Sequence, residues 1–191
     1  MKTEQTTPRE QLDLIEQAIA QAKENLSNHS YDFIFWGWLV SISAILNYVL
    51  LAYSSLGNQS YLIWPITMTI GSIGVFWYYL KREKKKSHKT HLEYFLSSLW
   101  IVLGGVLILL SLATPFVDLN PWFLFPLLVG VGTLVSGVVL KFRPLVIGGI
   151  VLLGFPFYSI FVSGSSVLLL YAAVIIVSYL VPGYLLKRHQ A

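Results

Sequence analysis

Six apolar stretches, each about as long as a membrane-spanning helix, make up most of this chain. They cover residues 31–55, 61–80, 94–115, 121–140, 144–162 and 165–186. A helix needs about 20 residues to cross the roughly 30 Å hydrocarbon core of a bilayer, and none of the six shows the polar stripe of a soluble helix. Hydrophobic residues are 55% of the 191 residues and charged residues only 12%. The pattern predicts an all-α polytopic membrane protein with six transmembrane helices.

The 13 Lys and Arg residues lie in only four of the seven segments outside these stretches. They precede the first stretch and follow the second, fourth and sixth, and residues 56–60, 116–120 and 163–164 contain none. Cytoplasmic loops of membrane proteins are enriched in Lys and Arg. The distribution therefore predicts six crossings of a membrane, with both termini cytoplasmic and residues 187–191 as a short cytoplasmic tail.

Residues 1–30 are predicted to form a separate cytoplasmic amphipathic helix. Thr7-Pro8 supplies a capping residue followed by proline at the first helical position. An apolar stripe at alternating spacings of three and four follows, until Asn28-His29-Ser30 interrupts the pattern. The stripe consists of Leu12, Ile15, Ile19, Ala22 and Leu26. Because an apolar stripe must be covered, we expect it to contact the protein's own bundle, the lipid surface, a second copy of the chain or another protein.

The membrane region contains an internal repeat. Residues 101–109 (IVLGGVLIL) match residues 145–153 (LVIGGIVLL) position by position in residue type. Residues 64–71 and 125–132 both begin with an aromatic residue and a proline and end on a glycine. The repeat predicts three helical hairpins of the same orientation, related by an axis along the membrane normal. Small residues in the spans mark faces at which helices can approach closely.

No Asp, Glu, Lys, Arg or His lies in the middle of a predicted span. Ion-coupled transport, proton relays and voltage sensing rely on such residues, so these functions are disfavoured. The chain has no cysteine, which excludes disulfides, thiolate metal sites and cysteine nucleophiles. His88 and His91 could ligate a metal with Glu93, but Lys86 and Lys89 would repel a cation. Since nucleotide-binding and hydrolase motifs are also missing, the sequence predicts no enzymatic activity, no metal and no cofactor.

Asn47 is the most polar residue predicted to lie inside the bundle. We interpret it as the donor or acceptor of an interhelical hydrogen bond worth about 1 kcal/mol, with contact to a substrate as the alternative. Pro156 and Pro182 lie inside the fifth and sixth spans. Each removes a backbone hydrogen bond, so both spans are predicted to be kinked there.

The segment between the second and third spans is strongly basic. Residues 81–89 contain six cations against one acid, Glu83. The cations are Lys81, Arg82, Lys84, Lys85, Lys86 and Lys89. The simplest interpretation is a topology signal, which also accounts for the net positive charge without a nucleic-acid partner. Two alternatives are contact with anionic lipid headgroups or an acidic partner, at about 1 kcal/mol per cation, and pairing with the acidic residues of the N-terminal helix.

Three segments carry a resemblance to a known family. They are Tyr31–Leu39 (YDFIFWGWL), Gly132–Ile150 (GTLVSGVVLKFRPLVIGGI) and Tyr179–Lys187 (YLVPGYLLK). In these segments the chain resembles an uncharacterised family of small bacterial six-span inner-membrane proteins, which implies the same fold and no assigned activity. The hairpin repeat with Gly-Gly in the rising helix is more faintly similar to the acid-resistance type of six-span membrane protein. The N-terminal helix and the basic loop depart from that type.

Two functional hypotheses follow from these features. The first is a non-enzymatic membrane component that docks or regulates a partner through the stripe residues Leu12, Ile15, Ile19 and Leu26. The second is a small transporter or lipid-handling protein for a neutral or lipid-like solute, with Asn47 lining its path. The small-residue faces are compatible with a monomer or with a homo-oligomer.

Overall fold

The computed structural model describes the backbone of residues 8–83, 91–113, 116–117, 120–162 and 164–188. Side chains are described from Ser30 onward within these ranges, except those of Asn58, Tyr79, Arg82 and Glu83. The described chain is helical between short connections. Its elements are α1 (Pro8–Tyr53), a 3₁₀ helix (Gly57–Leu62), α2 (Ile63–Glu83), α3 (His91–Ala113), α4 (Pro121–Val139), α5 (Arg143–Ser159), α6 (Ser166–Ile175), a π-helical segment (Ile176–Leu180) and α7 (Val181–Arg188).

Five of the described helical segments are long and apolar enough to cross a membrane. They are Ser30–Tyr53, Gln59–Tyr78, His91–Ala113, Pro121–Val139 and Ser166–Arg188. The remaining apolar helix, Arg143–Ser159, has 17 residues, at the lower end of the length that spans hydrocarbon. The prediction of an all-α protein with several membrane-capable helices is therefore confirmed, and the fifth predicted span, 144–162, is shorter than expected because the helix ends at Ser159.

The first predicted span and the predicted N-terminal helix are parts of one helix. The backbone of α1 is continuous from Pro8 to Tyr53, through Asn28-His29-Ser30. These three residues have lower helix propensity than alanine by well under 1 kcal/mol each, far less than proline. The expected interruption at residues 28–30 is thus a change in polarity and not a break in the backbone.

Helix α5 lies between α4 and the π-helical segment, and glycines bring their backbones together. A methyl group added at Gly137 of α4 would lie 2.6 Å from the backbone nitrogen of Val146, and one at Gly149 would lie 2.6 Å from the Cα of Leu134. On the other side of α5, a methyl group at Gly148 would lie 2.6 Å from the carbonyl oxygen of Ser178. Close approach of this kind stabilises helix pairs in lipid.

In the pairs α1–α2 and α3–α4, a glycine contacts side chains of the neighbouring helix and not its backbone. On α4, Gly132 packs against Trp100 and Leu103 of α3. On α2, Gly71 packs against Trp36 and Leu39 of α1. In each pair a tryptophan and a leucine three residues apart surround the glycine that ends one of the repeated segments 64–71 and 125–132. The sequence repeat thus corresponds to equivalent packing.

The sixth predicted span is interrupted by the π-helical segment. Pro182 has no N–H to donate to the carbonyl of Ser178 four residues earlier, and the π-helical turn lies directly before it. A π turn is a common cause of local distortion. Pro156, by contrast, lies inside α5, which continues as one helix to Ser159.

Candidate functional site

Most residues of the two predicted interaction surfaces lie outside the described side chains. The backbone of Leu12, Ile15, Ile19 and Leu26 belongs to α1, but their side chains are not described. In the basic segment, Lys84, Lys85, Lys86 and Lys89 lie outside the described residues, and so does the side chain of Arg82. Lys81 is described: it is exposed near the end of α2, with its Nζ 4.6 Å from the ring centre of Trp77.

Asn47 is fully buried and ties α1 to the beginning of α2. Its Nδ2 donates to the carbonyl oxygen of Ser60 at 2.9 Å, and its Oδ1 accepts from Nε1 of Trp64 at 3.2 Å. Both ends of the amide therefore bond to protein atoms near the 3₁₀ helix. These contacts match the interhelical interpretation of Asn47 and give no separate sign of a substrate contact.

Trp64 is also part of an aromatic cluster that joins four helices. Its ring centre lies 6.0 Å from that of Trp122 on α4 and 6.1 Å from that of Tyr171 on α6. Phe155 of α5 completes the cluster, 5.1 Å from Tyr171. Aromatic pairs at such distances stabilise beyond their buried area. No pattern in the amino-acid sequence indicates that these four aromatic residues meet.

Beside this cluster, an open cleft of about 450 Å³ lies where α1 and α5 end and α4 and α6 begin. We call it the distal cleft. Its lining residues are Leu51, Tyr61, Asn120, Trp122, Ser159, Val162, Gly164, Ser165, Val167 and Leu168. None of these described residues is charged, and polar and apolar groups are mixed. The cleft therefore offers hydrogen bonds and packing surface, without a fixed charge from the residues that line it.

Three polar side chains of the distal cleft have groups available for a ligand. Asn120 caps α4: its Oδ1 accepts from the backbone N–H of Trp122 at 3.0 Å, which orients the amide. Its NH₂ has no hydrogen-bond partner among the described residues. Ser165 precedes α6 but makes no side-chain capping bond. The hydroxyl of Tyr61, on an exposed side chain, forms no hydrogen bond with the rest of the described chain.

Deeper in the bundle, the hydroxyl groups of Ser41 and Ser178 have no hydrogen-bond partner among the described residues. Several serines and threonines in the described helices donate to the carbonyl four residues earlier, as Ser43, Thr133 and Ser136 do at 2.7 Å. Ser41 and Ser178 do not: both are at most 1% exposed, and their Oγ atoms have no hydrogen-bond partner among the described residues. A buried polar atom without a partner costs free energy, so these two positions are unusual for a packed core.

A buried contact between two hydroxyl groups involves Tyr179, the residue that follows Ser178 in the chain. The hydroxyls of Thr133 on α4 and Tyr179 in the π-helical segment are 2.9 Å apart. Tyr171, Ser178 and Tyr179 are all buried on the span that begins at the distal cleft. A row of uncharged polar groups therefore accompanies this span from the cleft to the π-helical segment.

No motif in the amino-acid sequence marks these residues. Asn120 precedes Pro121 at the start of α4, and Ser178 is one of several polar residues within the sixth predicted span. Tyr61 and Ser165 are the first residues of the second and sixth predicted spans. Within the ranges that the structure describes, no group of three His, Cys, Asp or Glu side chains could hold a metal ion.

Comparison of the chain with protein-family models, with curated proteins and with solved structures finds no match. The family resemblance of segments 31–39, 132–150 and 179–187 therefore stays a prediction, and the function has to be argued from the structure alone.

Proposed function

We propose that this protein is a non-enzymatic component of a bacterial cytoplasmic membrane that docks or regulates a partner through the N-terminal part of α1. In this proposal the chain forms three hairpins with both termini cytoplasmic. The observed contact of Lys187 with Tyr31, at 5.6 Å from Nζ to ring centre, supports this by bringing the end of α7 beside the beginning of the first span. The positive-inside rule supports the orientation.

The observation that carries the docking proposal is the continuity of α1. Residues 8–29 continue the membrane helix by about 33 Å at 1.5 Å per residue, so the stripe belongs to an extension of the first span. Within the bundle, α1 packs against α2, α6, the π-helical segment and α7. Its buried residues include Phe33, Ala44 and Asn47. A partner bound to the extension would therefore act directly on a helix that packs against several others in the bundle.

The test is a charge substitution on the stripe with a matched control on the opposite side of the helix. Ile15→Lys with Ile19→Lys should abolish crosslinking to the partner in cells, as read by affinity purification and mass spectrometry, while membrane insertion is unchanged. Gln17→Lys with Gln21→Lys adds the same charge about 200° around the helix and should leave the crosslinks in place. Loss of insertion or stability in the stripe variant, or equal loss in both variants, would show that the extension is structural.

A second candidate function is passage or handling of a small neutral solute. It is favoured by the distal cleft, whose described lining is uncharged, and by the uncharged polar groups that follow it along α6 and the π-helical segment. Proline and π-helical distortions allow local rearrangement of a span. In this candidate the cleft opens to the outside of the cell, opposite the basic segments.

Stopped-flow light scattering on proteoliposomes tests the second candidate. Glycerol or urea should enter proteoliposomes faster than protein-free liposomes of the same lipid. Ser165→Trp, which places a large ring at the mouth of the cleft, should return the rate to that of protein-free liposomes. Equal rates with and without the native protein would remove this candidate and leave the docking proposal untouched.

A further inference from the structure

We propose that the distal cleft is a binding site for a neutral saccharide, either free or as the headgroup of a glycolipid. The inference deepens the second candidate function and rests on its placement of the cleft at the outer surface. A sugar ring carries hydroxyl groups around its edge and apolar C–H groups on its faces. A site for it must then offer hydrogen bonds and a flat apolar surface together.

The size and walls of the distal cleft meet the first requirement for a ligand site. Its volume, about 450 Å³, lies within the range of roughly 300–1,000 Å³ that is usual for small-molecule sites. Leu168 and Val167 are buried in its floor, and Trp122 is half-buried beside them. The indole N–H of Trp122 has no partner in the described part of the chain. Its ring is oriented by edge contacts with Trp64 and Tyr171, so Trp122 is a preorganised wall that offers both ring surface and a donor.

The polar groups of the cleft suit hydroxyl ligands. The amide NH₂ of Asn120 can donate, because the same side chain's oxygen is already used in capping α4. The hydroxyls of Tyr61 and Ser165 can each donate and accept, which matches the dual character of a sugar hydroxyl. Ser159 donates to the carbonyl of Pro156 at 2.7 Å and so keeps only acceptor capacity. These groups come from the 3₁₀ helix and from the ends of α4, α5 and α6, and so surround the opening.

The absence of charge among the described lining residues selects against ionic ligands. A phosphate, carboxylate or ammonium group would lose hydration in the cleft without an opposite charge from these residues to offset it. A purely hydrocarbon ligand would leave the amide of Asn120 and the two hydroxyls without partners. A neutral saccharide can form hydrogen bonds with the polar side chains of the cleft and pack its C–H faces against the apolar ones.

Isothermal titration calorimetry on the full chain in phosphatidylcholine nanodiscs tests the proposal. Maltose and glucose are the neutral probes, glucuronate and glucosamine the charged ones, and a second set of nanodiscs contains glucosyl diacylglycerol. We expect saturable binding of maltose or glucose in the phosphatidylcholine nanodiscs. If the same sugar binds more weakly in nanodiscs that contain the glycolipid, the lipid headgroup occupies the same site; unchanged affinity would assign the site to free sugars. No saturable binding of either neutral sugar, or equally tight binding of glucuronate, would overturn the proposal.

Single-atom variants locate the binding. Tyr61→Phe with Ser165→Ala should weaken binding at least tenfold, since each lost hydrogen bond between neutral groups is worth about fivefold. Asn120→Asp keeps the capping oxygen and removes the donor, so it should also weaken binding while the melting temperature is retained. Tyr53→Phe is the matched control, because Tyr53 is exposed and does not line the cleft. Unchanged affinity in the first two variants would place the sugar elsewhere.

Measuring both saccharide binding and solute entry distinguishes a failure of the proposed saccharide site from a failure of the transport candidate. Saccharide binding without solute entry into proteoliposomes supports the site and removes transport. Entry of glycerol without any saccharide binding supports transport and overturns the assignment of the cleft to a sugar.

Discussion

The segments 101–109 in α3 and 145–153 in α5 match in residue type, but their outer leucines and isoleucines and their Gly-Gly pairs are packed differently. Leu145 and Leu152 of α5 are at most 1% exposed, whereas the equivalent Ile101 and Ile108 of α3 are 73% and 64% exposed. A methyl group at Gly148 or Gly149 would meet backbone atoms, but one at Gly104 or Gly105 would meet nothing within 4 Å in the described chain. The two segments, although similar in sequence, are therefore packed differently.

The difference between the two segments comes from their neighbours. Helix α4 presents Gly130 and Gly137 to α5, seven residues apart on one face, and the π-helical segment presents a backbone carbonyl on the other side. Among the described residues, the main neighbour of α3 is α4, and Trp100 and Leu103 contact it around Gly132. In lipid, where leucine gains little from contacting another side chain instead of a lipid tail, such backbone approach decides which helix is central.

The largest expected effect is on the helix backbone contacts of α5. Gly149→Leu should lower the free energy of unfolding by about 3 kcal/mol or more, because the new side chain would overlap the backbone of Leu134. Gly105→Leu, at the equivalent position of α3, should change it by less than about 0.5 kcal/mol. Unfolding in mixed micelles of increasing SDS content measures both. Equal tolerance of the two substitutions would break the comparison.

Smaller substitutions at the first glycine of each Gly-Gly pair, Gly148 in α5 and Gly104 in α3, test the contact between α5 and the π-helical segment. Gly148→Ala should cost about 1–3 kcal/mol, since its Cβ would lie 2.6 Å from the carbonyl oxygen of Ser178. Gly104→Ala should be neutral or stabilising by up to about 1 kcal/mol, because alanine is the better helix former. The same SDS titration gives both values, and a loss at Gly104 as large as at Gly148 would contradict the account.

The smallest effect concerns the attachment of α3. Nε1 of Trp100 donates to Oγ of Ser136 on α4 at 3.2 Å. Trp100→Phe removes this donor and part of the packing around Gly132, and should cost about 0.5–1 kcal/mol. Ser111→Ala is the control, because Ser111 is exposed and bonds only to Leu107 of its own helix at 2.8 Å. If neither substitution changes the free energy of unfolding, the hydrogen bond between Trp100 and Ser136 does not stabilise the packing of α3 on α4.

Much of the fold was predictable from the distribution of apolar residues. The apolar runs located the membrane-capable helices, and the aromatic-proline-glycine repeat identified Gly71 and Gly132, which have equivalent neighbours. Asn47, singled out for its polarity, is buried. The prediction of membrane-capable helices succeeded because bilayer thickness and backbone hydrogen bonding impose simple rules on sequence.

Other features depend on contacts between distant segments and were not predictable. The Gly-Gly pairs of α3 and α5 look alike in sequence, and only the neighbouring helices distinguish them. Pro182 indicated a distortion in the sixth span, but not that Ser178 would become a buried hydroxyl without a partner. The distal cleft joins residues of five separate segments, none of which carries a recognisable motif. Asn28-His29-Ser30 suggested a helix end because polarity changes there, although the backbone continues.

Oxygen accessibility at Ile108 and Leu152 tests most directly whether α3 is exposed to lipid at a position where the similar segment of α5 is buried. The chain has no cysteine, so Ile108→Cys and Leu152→Cys can each carry a nitroxide label in an otherwise native background. In vesicles at a high lipid-to-protein ratio, we expect frequent collisions of lipid-dissolved oxygen with the label at Ile108 and few with the label at Leu152. Similar values at the two positions, or a higher value at Leu152, would contradict the placement of α5 at the centre and α3 at the periphery.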